Sequence, residues 1–125
     1  MPKSILLVDD STAVRKRIAA ALVGAGYAVT EAATGMEALE RLKSGSHDLL
    51  LLDLNLPQLS GFEILRLVKS GGPIRDLPVL CITGMHRDLA DIQKLRELGA
   101  AGYIDKESSQ EDILFRINQV LGKKP

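Results

Sequence analysis

Apolar and polar positions alternate in blocks along this chain. Four leucines run unbroken at Leu49-Leu50-Leu51-Leu52 and end in Asp53. So short a continuous apolar run predicts a strand buried on both faces, as at the centre of a parallel sheet. Similar runs predict strands over Ser4 to Val8, Tyr27 to Glu31, Leu77 to Thr83 and Ala101 to Ile104, with Pro78 near the start of the fourth. Between these runs the apolar residues recur at helical spacing. Val14, Ile18, Ala21 and Leu22 form a stripe within Ser11 to Val23, and Met36, Leu39 and Leu42 form one within Gly35 to Leu42. Phe62, Ile64, Leu65 and Val68 point mostly inward from Gly61 to Lys69. Leu89, Ile92, Leu95 and Leu98 mark a fourth helix, and Ile113, Ile117 and Val120 a fifth over Gln110 to Leu121. The punctuation agrees. Ser11 or Asp10 caps the first helix and Gly24 and Gly26 end it. Lys43-Ser44-Gly45-Ser46 leads out of the second, Gly71-Gly72-Pro73 breaks the third, and Gly99 stops the fourth. Gly61 reads as a turn or cap residue.

Five strand–helix units in succession predict an α/β fold, a five-stranded parallel sheet with helices on both faces. Right-handed crossovers leave few topologies, and the flavodoxin-like order 2-1-3-4-5 is the natural five-strand case. The 125 residues suit one domain, expected over 1–121, with 122–125 as a frayed tail or the stump of a linker. Hydrophobic content of 46%, charged content of 26% and a net charge of +0 are those of a globular domain. They argue against disorder and against broad electrostatic binding of nucleic acid. No apolar stretch approaches the roughly 18 residues of a membrane span. Met1-Pro2-Lys3-Ser4-Ile5 enters strand-like sequence too soon for a secretory signal, so a cytoplasmic location is the expectation. The single cysteine, Cys81, excludes an internal disulfide and reads as a buried strand thiol.

Polar residues gather at the predicted strand ends. The first strand ends in Asp9-Asp10, the third in Asp53, the fourth in Thr83 and the fifth in Asp105-Lys106. In the order 2-1-3-4-5 these four strands are neighbours, and ligands of open α/β sheets bind beyond the carboxyl ends of the strands. Two carboxylates about 5 Å apart repel by roughly 3 kcal/mol at an effective dielectric near 20. Several carboxylates beside one lysine therefore call for a shared proton or a bound cation. Oxygen ligands without histidine or cysteine select magnesium, or manganese. The Thr83 hydroxyl and the Lys106 ammonium can both donate to phosphate oxygens, and a carboxylate is a competent nucleophile toward a phosphoryl group. The residues thus point to a metal-dependent site that phosphorylates its own Asp53.

With these residues in view, the chain resembles the receiver domain of bacterial two-component response regulators, including its stand-alone chemotaxis members, nearly end to end. The matching pieces are VDDS at Val8 to Ser11, DLNLPQLSGFE at Asp53 to Glu63, ITG at Ile82 to Gly84 and GAAGYIDK at Gly99 to Lys106. The resemblance implies that Asp53 is the phosphoacceptor for a sensor histidine kinase or phosphotransfer protein. It implies that Asp10 binds Mg2+ directly, Asp9 largely through water, and Asn55 through its backbone carbonyl. Lys106 would pair with Asp53 and then with its phosphoryl group. Thr83 would move toward that group and Tyr103 swing in behind, altering the face of the fourth helix, fifth strand and fifth helix that a downstream protein reads. Asn55 and Met85 would flank the phosphoryl oxygens and tune the lifetime of the modification. The domain is expected to be a monomer or a weak phosphorylation-dependent dimer, and a self-modifying switch rather than a turnover enzyme. One position departs from the family: Glu107 stands where a proline, joined by a cis peptide, usually follows the lysine. A cis bond without proline costs roughly 3–4 kcal/mol, so a trans Lys106-Glu107 bond is expected.

Blander readings exist for each residue alone. Asp9 and Asp10 can cap a helix, Thr83 can be a plain strand residue, Lys106 a solvated one and Tyr103 edge packing. His47 and His86 read as surface and loop histidines. Two rival functions stand beside the receiver: a phosphorylation-independent interaction module, and an aspartate-nucleophile phosphatase of the haloacid dehalogenase type. The latter carries its nucleophile after the first strand and an acid two residues on, whereas here the candidate follows the third strand and Asn55 cannot act as an acid.

Overall fold

The computed structural model describes residues 2–72, 74–84 and 89–122. The readings made of Pro73, Met85, His86, the Leu89 side chain and the tail Lys123-Lys124-Pro125 lie outside the described residues. Strands and helices alternate as β1 Ser4–Val8, α1 Thr12–Gly24, β2 Ala28–Ala32, α2 Gly35–Ser44, β3 Leu49–Asp53, α3 Gly61–Lys69, β4 Val79–Thr83, α4 Leu89–Glu97, β5 Gly102–Asp105 and α5 Gln110–Leu121. The five strands form one parallel sheet in the order β2-β1-β3-β4-β5. Both the parallel α/β class and the strand order agree with the sequence expectation.

Alternation along each strand splits the core in two. Leu6, Val8, Leu50, Leu52, Val79 and Cys81 face one side and pack with Ala38 and Leu42 of α2, Ile64, Leu65 and Val68 of α3, and Leu95 of α4. Ile5, Leu7, Leu49, Leu51, Leu80, Ile82 and Ile104 face the other, against Ile18 and Leu22 of α1 and Ile113 and Ile117 of α5. Every residue of β3 is buried, as the leucine run required. At roughly 1.5–3 kcal/mol per buried leucine, this strand alone anchors the sheet on both faces.

Three local expectations change. Met36 is 59% exposed, and Gly35, Ala38 and Leu42 line the buried face of α2 instead. Gly35 takes that face because a Cβ there would meet the Leu59 carbonyl oxygen at 2.9 Å and the Ile64 Cδ1 atom at 3.0 Å. Tyr27 precedes β2: its N–H donates to the Leu22 carbonyl in the turn after α1, and its buried hydroxyl donates to Asn118 Oδ1 of α5. Leu77 and Pro78 precede β4, since the Leu77 N–H closes a turn on the Ile74 carbonyl and proline has no N–H to give a ladder. At the other end of the same elements, Ser11 and not Asp10 caps α1, its hydroxyl accepting from the Val14 N–H at 3.3 Å.

Register brings the strand ends level. Val8 lies beside Leu52, Asp53 beside Ile82, and Thr83 beside Asp105. Asp9, Asp53, Thr83 and Lys106 therefore emerge along one edge of the sheet.

Candidate functional site

Two carboxylates at this edge are wholly buried, Asp9 after β1 and Asp53 at the last position of β3. Short polar turns hold both. Asp9 Oδ1 accepts the Ser11 N–H at 2.9 Å, and Asp53 Oδ1 accepts the Asn55 N–H at 2.9 Å. Arg15 fixes the Asp9 backbone from α1: its Nη1 donates to the Asp9 carbonyl at 2.8 Å while its Nε pairs with Glu31 Oε1 at 3.0 Å. Asp10 is exposed at the rim. One carboxylate oxygen from each of Asp9, Asp10 and Asp53 lies within 4.8 Å of the others.

Lys106 is the cation of the cluster. Its Nζ donates to Asp53 Oδ2 at 3.0 Å and to Asp9 Oδ1 at 3.4 Å, and lies 3.3 Å from Asp9 Oδ2. Burial pulls the pKa of this ammonium down, but hydrogen bonding and attraction from Asp53 and Asp9 outweigh it and leave the pKa raised. One ammonium does not satisfy the site, for Asp9 Oδ2 is buried without a hydrogen bond. A buried carboxylate oxygen with an ion-pair contact but no hydrogen bond, among three acidic groups, is a ready ligand for a hard cation, and the donors present fit one.

The remaining expected residues take their places around this core. Thr83 is buried at the end of β4, and its carbonyl accepts the Lys106 N–H at 2.9 Å. The Asn55 N–H reaches Asp53, while its side chain is exposed. Tyr103 stands two residues before Asp105, half-buried beside Cys81 and packed against the core of α2, α3 and α4, outside the acidic cluster. His47 lies two residues before β3, at the opposite edge, with Nε2 3.3 Å from the Arg41 carbonyl. The Cys81 thiol is buried and its pKa is pushed up to about 12 by that burial.

Gly61 has a different role from the turn or cap expected of it. It is the first residue of α3, and a Cβ there would run into the Asp53 carbonyl oxygen and sit 2.6 Å from Leu54 Cα. The helix start is thus pressed onto the exit of β3, where its Gly61 N–H donates to the Leu54 carbonyl at 3.3 Å. Ser60 is the cap, in a reciprocal capping box with Glu63. That Ser-x-x-Glu signature ahead of an apolar run was present in the sequence. Gly84 leaves room for the Lys106 stem, since a Cβ there would meet Lys106 Cδ at 3.3 Å.

The Lys106-Glu107 peptide is trans, as expected, and no cis peptide occurs among the described residues. The Glu107 N–H donates to Asp105 Oδ1 at 2.8 Å and the Ser108 N–H to the Asp105 carbonyl at 3.0 Å. From α1, Arg17 Nη2 donates to the Lys106 carbonyl at 2.7 Å.

A doubly wound parallel sheet with an acidic pocket and a lysine at its carboxyl edge places the chain among the flavodoxin-like α/β domains that carry a candidate cation site. Comparison with known proteins agrees. Residues 5–118 match the response regulator receiver domain family, and the chain belongs to it. It is 30% identical over 122 residues to the polar-differentiation response regulator DivK of Brucella anthropi, covering 98% of both chains. It is 38% identical over 119 residues to the phosphate regulon transcriptional regulatory protein PhoB of Pseudomonas aeruginosa, spanning 95% of this chain but 52% of that protein. Among solved structures, the Vibrio cholerae chemotaxis protein CheY4 superposes with a TM-score of 0.90 at 30% identity, covering 96% of this chain and 99% of that one. No helix among the described residues is long and apolar enough to cross a membrane.

Proposed function

We propose that this receiver is a phosphorylation-dependent switch that accepts a phosphoryl group on Asp53 from a sensor histidine kinase or a phosphotransfer protein. The observation that carries the reading is the buried pair Asp9 and Asp53 bridged by Lys106, with Asp9 Oδ2 in ion-pair contact but without a hydrogen bond. An Asp53 carboxylate oxygen attacks phosphorus, the phosphorus–nitrogen bond of phosphohistidine breaks, and the imidazole leaves with the electron pair. Lys106, already 3.0 Å from Asp53 Oδ2, donates to the arriving phosphoryl oxygens, and Thr83 at the adjacent strand end donates a hydroxyl. When bound by Asp9, Asp10, Asp53 and the Asn55 carbonyl, Mg2+ supplies neutralisation of charge on those oxygens. The modification repacks Thr83 and Tyr103 and changes the face formed by α4, β5 and α5, which a downstream protein in the cytoplasm reads. The reading makes the chain a switch rather than a turnover enzyme, with no direct contact to nucleic acid.

The test is intact-mass spectrometry after incubation with MgCl2 and acetyl phosphate. One added phosphoryl group, lost in Asp53→Asn and in chelator, is the expected result. No adduct on the folded protein overturns the proposal in favour of an interaction module. Steady turnover of external phosphate esters overturns it in favour of a phosphatase.

A further inference from the structure

Resting on the reading of Lys106 as the group that meets the phosphoryl oxygens, we propose that Arg17 of α1 is the positioning residue for Lys106. Lys106 follows β5 directly, in a loop whose next residue, Glu107, is exposed and lacks the ring constraint of a proline. Its ammonium must nevertheless stay within hydrogen-bond reach of Asp53. Three backbone bonds fix the residue: its N–H on the Thr83 carbonyl at 2.9 Å, its carbonyl under Arg17 Nη2 at 2.7 Å, and the following N–H on Asp105 Oδ1 at 2.8 Å. The first belongs to the strand ladder and the third to the turn itself. The second, from Arg17, ties the loop to a helix outside the sheet, across 89 residues of sequence.

The Arg17 side chain has no other evident task. Among the described residues no carboxylate lies within ion-pair distance of its guanidinium, whereas its neighbours Arg15 and Lys16 both pair with Glu31. A charge-assisted N–H to carbonyl bond of 2.7 Å is at the strong end of its type. The guanidinium presents several donors in a rigid fork, so it holds a carbonyl with little added freedom. With the carbonyl and N–H of Lys106 both pinned, only the side-chain torsions remain to aim the ammonium at Asp53 and Asp9.

The experiment compares wild type, Arg17→Ala, Lys106→Ala and the double variant in 0.15 M salt, with Lys16→Ala as the control for loss of one α1 charge. Arg17→Ala is expected to slow phosphoryl uptake from acetyl phosphate about three- to tenfold, the range of one exposed charge-assisted bond. On the Lys106→Ala background the same substitution adds nothing, because Arg17 acts only through Lys106. Equal slowing on both backgrounds, or no slowing beyond Lys16→Ala, overturns the proposal. A second readout is Mg2+ affinity by calorimetry. A loosened Lys106 competes less for Asp9 and Asp53, so Arg17→Ala binds Mg2+ about two- to fivefold more tightly than Lys16→Ala. Should wild type take up no phosphoryl group, the phosphoacceptor reading fails and this second readout decides for Arg17 by itself: tightening supports the positioning role and equal affinities overturn it.

Discussion

Asp53→Asn in the absence of metal tests whether the acidic pocket is a standing strain on the fold. The substitution removes one of two wholly buried carboxylates while keeping shape and the acceptor for the Asn55 N–H. Three contributions decide the sign. The Asp53–Lys106 pair at 3.0 Å is lost, an attraction of about 5–6 kcal/mol at an effective dielectric near 20. Repulsion from Asp9 within 4.8 Å is relieved, at least about 3.5 kcal/mol on the same scale, with roughly 1 kcal/mol more from the solvent-exposed Asp10. Finally, the desolvation of a buried carboxylate, several kcal/mol per ion, disappears. Lys106 keeps Asp9 as its partner at 3.3 Å. The relieved terms exceed the lost one, and a net stabilisation of about 1–2 kcal/mol is expected. Urea unfolding at pH 7 in EDTA should show a higher midpoint for Asp53→Asn at unchanged slope. Saturating Mg2+ should narrow or invert the gap, since a ligand at about 100 times its Kd adds roughly 2.7 kcal/mol to the form that binds it best. A variant that unfolds at lower urea than wild type in EDTA refutes the reasoning, because the Lys106 pair would then outweigh both repulsion and desolvation.

Other substitutions probe the frame around the site. Gly61→Ala places a methyl against the Asp53 carbonyl and Leu54 Cα, backbone atoms that cannot rotate away, and should cost about 1–3 kcal/mol by urea unfolding; a variant as stable as wild type would show that α3 slides freely off β3. Gln58 holds φ at +67°, so Gln58→Val should destabilise by roughly 1–2 kcal/mol while Gln58→Gly is neutral or slightly stabilising. Cys81, buried and with a pKa of about 12, should react with a thiol-specific reagent at pH 8 at least 100-fold more slowly in the folded than in the urea-unfolded chain, roughly as its thiolate is withheld. Because the folded pKa lies above the ordinary value of 9.0, the thiol favours the folded state below pH 9 and this contribution is lost as pH rises toward about 12. Cys81→Ala should therefore flatten the alkaline fall in stability.

What could be read from the sequence depended on whether a pattern was periodic or contact-born. The leucine run before Asp53 had one physical solution, a strand covered on both faces, and the alternation around it forced the parallel sheet. Once the strand order was known, the meeting of Asp9, Asp53, Thr83 and Lys106 followed from geometry, because parallel strands all present their carboxyl ends to one edge. Patterns were weaker where helical spacing allowed two phases. Met36, Leu39 and Leu42 satisfied a three-residue period, yet α2 turned Gly35, Ala38 and Leu42 inward, since only glycine fits beneath the Leu59 carbonyl. Gly61 was misread for a related cause. A glycine after Ser60 looks like a turn, and its need to lie against β3 exists only when the two elements are packed.

Glu107 marks the deeper limit. Its presence after Lys106 announced that a ring constraint was missing, and the trans bond followed from the energy of the alternative. What takes over the constraint was invisible locally. The Glu107 N–H, which a proline would lack, finds Asp105 two residues back, a turn that aspartate chemistry can suggest. The Arg17 contact joins α1 to the loop after β5 and leaves no periodic or compositional trace. Such a bond can be gained or lost by one substitution while every strand-end carboxylate stays in place. The acidic pocket is therefore the part of the site that the fold imposes, and the aim of Lys106 is the part that individual side chains adjust.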